Sequence, residues 1–119
     1  MRPKDALGRH GEDVAAGHLA SLGMVVLDRN WRCDIGELDI VARDGDTLVV
    51  CEVKTRSGTG YGTPLEAVTR EKVTRLRRLA GRWLSDHDVR PAGVRIDVVG
   101  VLRPARGPAV VKHVRGAVW

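Results

Sequence analysis

Over residues 6–22, the apolar or small positions Leu7, Gly11, Val14, Ala15, His18, Leu19 and Leu22 fall on one helical stripe. Gly23 then supplies a stop signal. Residues 24–27 read as a short buried strand, followed by polar Asp28, Arg29 and Asn30. Residues 36–42 and 47–54 have strand character, and Asp44-Gly45 between them is a type I′ hairpin signal. The stretch 55–62 is rich in Gly, Ser and Thr and is expected to be a flexible loop. Thr63-Pro64-Leu65-Glu66 has capping-box form with proline at the first helical position. A second helix is expected over 69–85, with the apolar stripe Val73, Leu76, Ala80, Trp83 and Leu84. Residues 94–102 and 110–114 complete the chain as strands separated by a turn at Pro104 to Pro108. The order αβββαββ predicts an α/β fold, a mixed sheet flanked by helices, in a single domain over 1–119 with 1–5 flexible.

Alternation along the hairpin carries the chemistry. With Asp44 and Gly45 as the loop, Arg43 pairs with Asp46, Asp39 with Val50 and Glu37 with Glu52. Leu38, Ile40 and Ala42 then share an apolar face with Val49, Cys51 and Val53. The opposite face carries Val41, Leu48 and Val50, then Asp39, Glu37, Glu52 and Lys54 toward one end. Asp39 and Glu52 become diagonal neighbours, and stacked carboxylates need a compensating cation. Mg²⁺ or Mn²⁺ would supply it, because hard divalent ions take carboxylate, water and phosphate oxygens. Lys54 points the same way and is a candidate to contact a phosphate or orient an attacking water. Glu12 lies beside the apolar stripe of the first helix and can reach the sheet's edge, although a solvated glutamate is the commoner outcome there. An isolated Glu-x-Lys triplet means little; an aspartate across a tight hairpin on the matching face means more.

Charge extends this picture. Among 119 residues, twenty Lys and Arg stand against fifteen Asp and Glu, a net +5, and sixteen of the twenty are Arg, suited to bidentate phosphate contacts. Such a balance allows a nucleic-acid partner without demanding one. Arg75, Arg78 and Arg82 form an outward stripe on the second helix, read either as a solvated face or as phosphate contacts. Lys72 on that helix and Arg56 beside the Gly-rich loop are further candidates. No apolar run approaches the roughly 20 residues that span a bilayer. Residues 1–11 carry no signal-type stretch, so the expected compartment is the cytoplasm. Cys33 and Cys51 pair with none of the four histidines at zinc-finger spacing. Cys51, between Val49 and Val53, is expected to be buried and Cys33 accessible. Trp31, Trp83 and Trp119 are expected to pack, and 3% aromatic content argues against a stacking platform for single strands. Asp97 follows the alternation of its strand with Arg95 and is expected to pair with it or a nearby base.

Gly11-Glu12, Gly23, Arg29-Asn30-Trp31-Arg32, Gly36-Glu37-Leu38-Asp39, Glu52-Val53-Lys54-Thr55-Arg56 and Tyr61-Gly62 together resemble the YraN-type family. So do Pro64, Ala67-Val68, Lys72, Arg95-Ile96-Asp97-Val98-Val99 and the tail from His113 to Trp119. The resemblance runs from about Gly8 to the C-terminus. It implies a restriction-endonuclease-like fold similar to archaeal Holliday junction resolvases. It also implies Asp39 and Glu52 as metal carboxylates, Lys54 as the catalytic lysine and Glu12 as an accessory carboxylate. Leu38 stands where many restriction enzymes carry proline before the aspartate, which is usual in the resolvase-like branch.

Three functions are compatible with these residues. The leading one is a Mg²⁺- or Mn²⁺-dependent endonuclease acting on DNA rather than RNA, including branched or structured DNA. The others are a non-catalytic nucleic-acid-binding module that keeps the fold, and a protein-interaction domain. A homodimer is compatible with each.

Overall fold

The computed structural model describes residues 5–58 and 68–117. Its elements are α1 (Ala6–Ser21), β1 (Val25–Cys33), β2 (Gly36–Asp44), β3 (Thr47–Ser57), α2 (Arg70–Asp86), β4 (Gly93–Arg103) and β5 (Val110–Val114). The five strands lie in sequence order in one sheet. β3 and β4 are parallel, joined through α2, and the other neighbours are antiparallel. This is the expected αβββαββ order with a mixed sheet, consistent with a restriction-endonuclease-like fold.

Each helix covers one face. Ala15 and Leu19 of α1 pack on Ile40, Ala42, Val49, Cys51, Val99 and Val101. Val73, Leu76, Leu79, Ala80 and Trp83 of α2 pack on Leu38, Val41, Leu48, Val50, Ile96 and Val98. The second face carries Val41, Leu48 and Val50, as expected, and all three are fully buried. Leu79 joins the predicted α2 stripe, while Leu84 is only half-buried.

Two expectations for the hairpin need correction. Asp44 pairs with Thr47 and Ile40 with Cys51, so Gly45 and Asp46 form the loop and the register slides by two residues. Gly45 takes the left-handed conformation at φ 59°. Asp44 is drawn into the strand by Arg95, whose Nη1 donates to it at 3.1 Å, while Ala92 N–H bonds the Asp46 carbonyl at 2.8 Å. A two-residue slide keeps Asp39 and Glu52 on a common side, because side chains alternate with period two. Leu38, however, packs beneath α2, whereas Ile40 packs beneath α1. Alternation is interrupted between them, opposite Asn30, which has φ 54° and interrupts the β1–β2 pairing between Arg29↔Ile40 and Trp31↔Leu38.

β1 is longer than expected and lies at the sheet's edge, leaving Val25 and Leu27 exposed. Its polar residues stay in the strand because they have partners. Asp28 accepts from Trp83 Nε1 at 3.0 Å, and Arg29 and Asn30 donate to Glu12. β3 also runs on to Ser57, so residues 55–57, expected in a loop, are strand held against β4. Residues 59–62 of the expected loop, including Tyr61 and Gly62, lie outside the described residues, as do the capping box at 63–66, residues 1–4 and Trp119. The cap of α2 is Thr69, whose hydroxyl accepts from Lys72 N. Asp5 caps α1.

β4, β5 and α1 are tied by a buried polar chain. Asp97, fully buried, takes two hydrogen bonds from Arg95, at 2.8 and 3.1 Å, and one from Gly116 N at 3.0 Å. This is the Arg95 pairing that the alternation suggested. His113 Nε2 donates to Asp97 at 2.8 Å, which leaves Nδ1 to accept from His18 Nε2 at 3.0 Å when both rings are neutral. Burial alone would raise the Asp97 pKa, but Arg95, Gly116 and His113 together hold it below its ordinary value. Burial, then the neighbouring His113 and Arg115, push His18 down.

Gly11 sets the approach of α1 to the sheet. A Cβ at this position would run into the Thr55 side chain on β3. Gly11→Ala is therefore expected to destabilise the protein by about 1–3 kcal/mol, a cost typical of overpacking. Urea denaturation checks this, and adding Thr55→Ala should recover part of the loss. An unchanged midpoint would mean that the helix does not rest on Thr55.

Candidate functional site

The ladder between β2 and β3 ends at Ile40↔Cys51. One step beyond, the strands open and Asp39 turns its Oδ2 to accept from Val53 N–H at 2.9 Å. Extending the register by that step sets Asp39 across from Glu52, closer than the diagonal arrangement expected. The Glu52 carboxyl lies within hydrogen-bonding reach of Asp39. From the first turn of α2, Lys72 brings its Nζ to 3.9 Å from Glu52 Oε2. Lys54, half-buried two residues along β3, feels Glu52, Asp39 and Lys72.

Burial is the largest influence on Glu52, and the charge and hydrogen bond of Asp39 add to it. Lys72 and Lys54 oppose them only partly, so the carboxyl is pushed up to about 7. Burial likewise pulls Lys54 below its ordinary value, helped by Lys72, against the pull of Glu52 and Asp39. Two carboxyls and two ammonium groups thus share one end of the sheet.

Glu12 is held by partners on β1. It is 1% exposed rather than solvated. Asn30 Nδ2 donates to its Oε1 at 2.7 Å, and Arg29 reaches the same oxygen at 3.3 Å while also gripping Asp13 at 2.7 Å. A cavity of about 270 Å³ opens beside it, lined by Gly8 and Glu12 of α1 and by Val53, Lys54, Thr55 and Arg56 of β3. Lys54 is therefore shared between the carboxyl pair and the Glu12 cavity. Among the described residues, no three His, Cys, Asp or Glu side chains converge as one metal-ligand group. Two carboxylates remain a workable donor set for Mg²⁺ or Mn²⁺, which keeps several waters and takes phosphate oxygens.

Arg29 and Asn30 had drawn attention only through the family motif, and their work is to fix Glu12. The signal available was an asparagine at a strand position, a residue that tolerates positive φ. Arg75 and Arg78 are exposed on α2 as expected. Arg82 is exposed too, but its Nη2 lies 2.8 Å from Asp34 Oδ1. Arg56 is exposed and donates to the Thr55 carbonyl at 3.1 Å. Trp83 is buried and stacks on His87, and half-buried Trp31 packs against the same core. Cys51 is buried as expected, and Cys33, the more accessible of the two, is partly buried. No helix among the described residues is long and apolar enough to cross a membrane.

Comparison with known proteins places these residues in a lineage. The profile described as "Uncharacterised protein family UPF0102" matches residues 11–101. A UPF0102 protein of Nocardioides sp. (strain ATCC BAA-499 / JS614) is 64% identical over 113 residues, covering 95% of this chain and 91% of the relative. One from Frankia casuarinae is 62% identical over 117 residues, covering 98% and 99%. One from Streptomyces coelicolor is 59% identical over 118 residues, covering 98% and 91%. The YraN-type resemblance of the motifs and these whole-length matches agree, and the chain belongs to the uncharacterised protein family UPF0102.

Proposed function

We propose that this protein is a Mg²⁺- or Mn²⁺-dependent endonuclease that hydrolyses phosphodiester bonds in DNA, including branched or structured DNA. One observation supports it most: Asp39 and Glu52 meet at the open end of the β2–β3 ladder with Lys54 and Lys72 beside them. Like-charged carboxyls forced together in a half-dry setting are costly unless a cation or proton joins them. Asp39 and Glu52 would hold the ion, which supplies Lewis-acid activation of water and charge neutralisation at the phosphate. Val53 N–H fixes the Asp39 carboxylate, and Lys54 would offset the charge developing on the phosphate. Glu12, locked by Asn30 and Arg29, presents a fixed carboxyl to the cavity beside Lys54. A second reading, binding without cleavage, is favoured because no third carboxylate joins the pair as one metal-ligand group among the described residues.

Calorimetric titration with Mn²⁺ tests the ion-binding step. The parent should bind, and Asp39→Asn and Glu52→Gln should each weaken binding by about tenfold or more while circular dichroism stays unchanged. Glu52 must lose its proton to ligate, so parental affinity should rise with pH up to about 7 and then level off. Variants that bind like the parent would end the assignment. Cleavage assays on duplex, flap and four-way DNA then separate the two readings. Metal-dependent cutting that disappears in Lys54→Ala supports the nuclease, and metal binding with no cutting supports the binding module.

Because Asp34 holds Arg82, the phosphate-contact role on α2 falls to Arg75 and Arg78. Replacing both by Gln should weaken duplex binding regardless of sequence. It should also flatten the log–log salt slope by about 0.9 for every phosphate that these side chains neutralise in the parent. An unaltered slope would leave these arginines solvated and route the DNA along Lys54 and Arg56.

A further inference from the structure

We propose that the Lys72 ammonium is the resident counter-ion of the Asp39–Glu52 pair, and that a divalent cation must displace it to bind. This rests on the metal-site reading above and adds to it the group that guards the site.

The contact is built to exchange. Thr69 caps the Lys72 backbone N–H at 3.2 Å and fixes the root of the side chain at the start of α2. The four-carbon stem above it is flexible, and the ammonium is a compact, strongly hydrated point charge. It meets one oxygen of Glu52 at 3.9 Å, the long end of an ion pair, with the lysine side chain still 32% exposed. The contrast with Asp97 is direct. There a planar guanidinium, an imidazole and a backbone N–H all bond a fully buried carboxylate, an arrangement with nothing left to give up. Lys54 approaches the same carboxyls from β3, so the two ammonium groups repel one another. Moving Lys72 away relieves that repulsion as the incoming ion takes over its charge-compensating role. The protein thus carries its own competitor for the cation, which keeps the carboxyls compensated while the ion is away.

The test is calorimetry with Mn²⁺ at pH 8 on the parent, Lys72→Met, Lys72→Arg and Arg77→Met. Removing a unit charge about 4 Å from a partly buried site should tighten binding about tenfold in Lys72→Met. Lys72→Arg keeps the competitor and should stay close to the parent. Arg77→Met removes an exposed charge from the same helix and should change nothing. In parallel, the Lys72 Nζ resonance should shift as Mg²⁺ is added and saturate with the calorimetric affinity. If the parent binds and Lys72→Met binds equally or more weakly, this inference is overturned while the metal reading stands. A Nζ resonance that ignores Mg²⁺ would overturn it in the same way. If neither parent nor Lys72→Met binds, the metal reading falls and this inference falls with it.

Discussion

A sheet covered by a helix on each face has few places where a carboxylate can sit. β2, β3 and β4 are buried on both sides through their central residues, and water cannot reach a charge placed there. Every acid near the sheet must therefore be satisfied from within the protein or stand where the cover ends. Asp97 takes the first course, with Arg95, His113 and Gly116 around it. Asp28 follows it in part, through Trp83. Asp39 is buried and accepts from Val53 N–H just past the last paired residues of the hairpin, and half-buried Glu52 stands beside it where the cover thins.

The candidate site follows from that placement. Where the hairpin pairing stops, Asp39 bonds Val53 N–H with its side chain, and β3 continues to Ser57 alongside β4 alone. Gly11 allows α1 to settle against Thr55, which carries Glu12 to the same end of β3. Asn30, left-handed at φ 54°, turns its amide onto Glu12 and allows the alternation of β2 to change beside it. Thr69 starts α2 so that Lys72 faces Glu52. The charges of the site are thus set by local backbone events on four different elements.

Periodicity made much of this legible. The helices, the succession of elements along the chain and the common side of Asp39 and Glu52 all follow from spacings of 3.6 and 2. The last survived a register slide because the slide was by two residues. What spacing could not reveal was contact at long separation. Arg95 draws Asp44 into β2 across 51 residues, which moves Asp39 from diagonal to opposite. Arg29 and Asn30 bury Glu12, which on helical phase alone looked half-solvated. The polar run after residue 27 looked like the end of a strand, yet it persists because each side chain has a partner on a helix. Leu38 changes face for a reason that lies on the neighbouring strand.

The enforced meeting of Asp39 and Glu52 can be observed without substrate or ion. Carbon-detected NMR titration of the Glu52 carboxyl in metal-free protein should give a midpoint near the value of about 7 that burial and Asp39 impose. In Asp39→Asn the midpoint should fall back toward that of an ordinary carboxyl. A parental midpoint at the ordinary glutamate value, unmoved by Asp39→Asn, would contradict the shared site on which the nuclease reading stands.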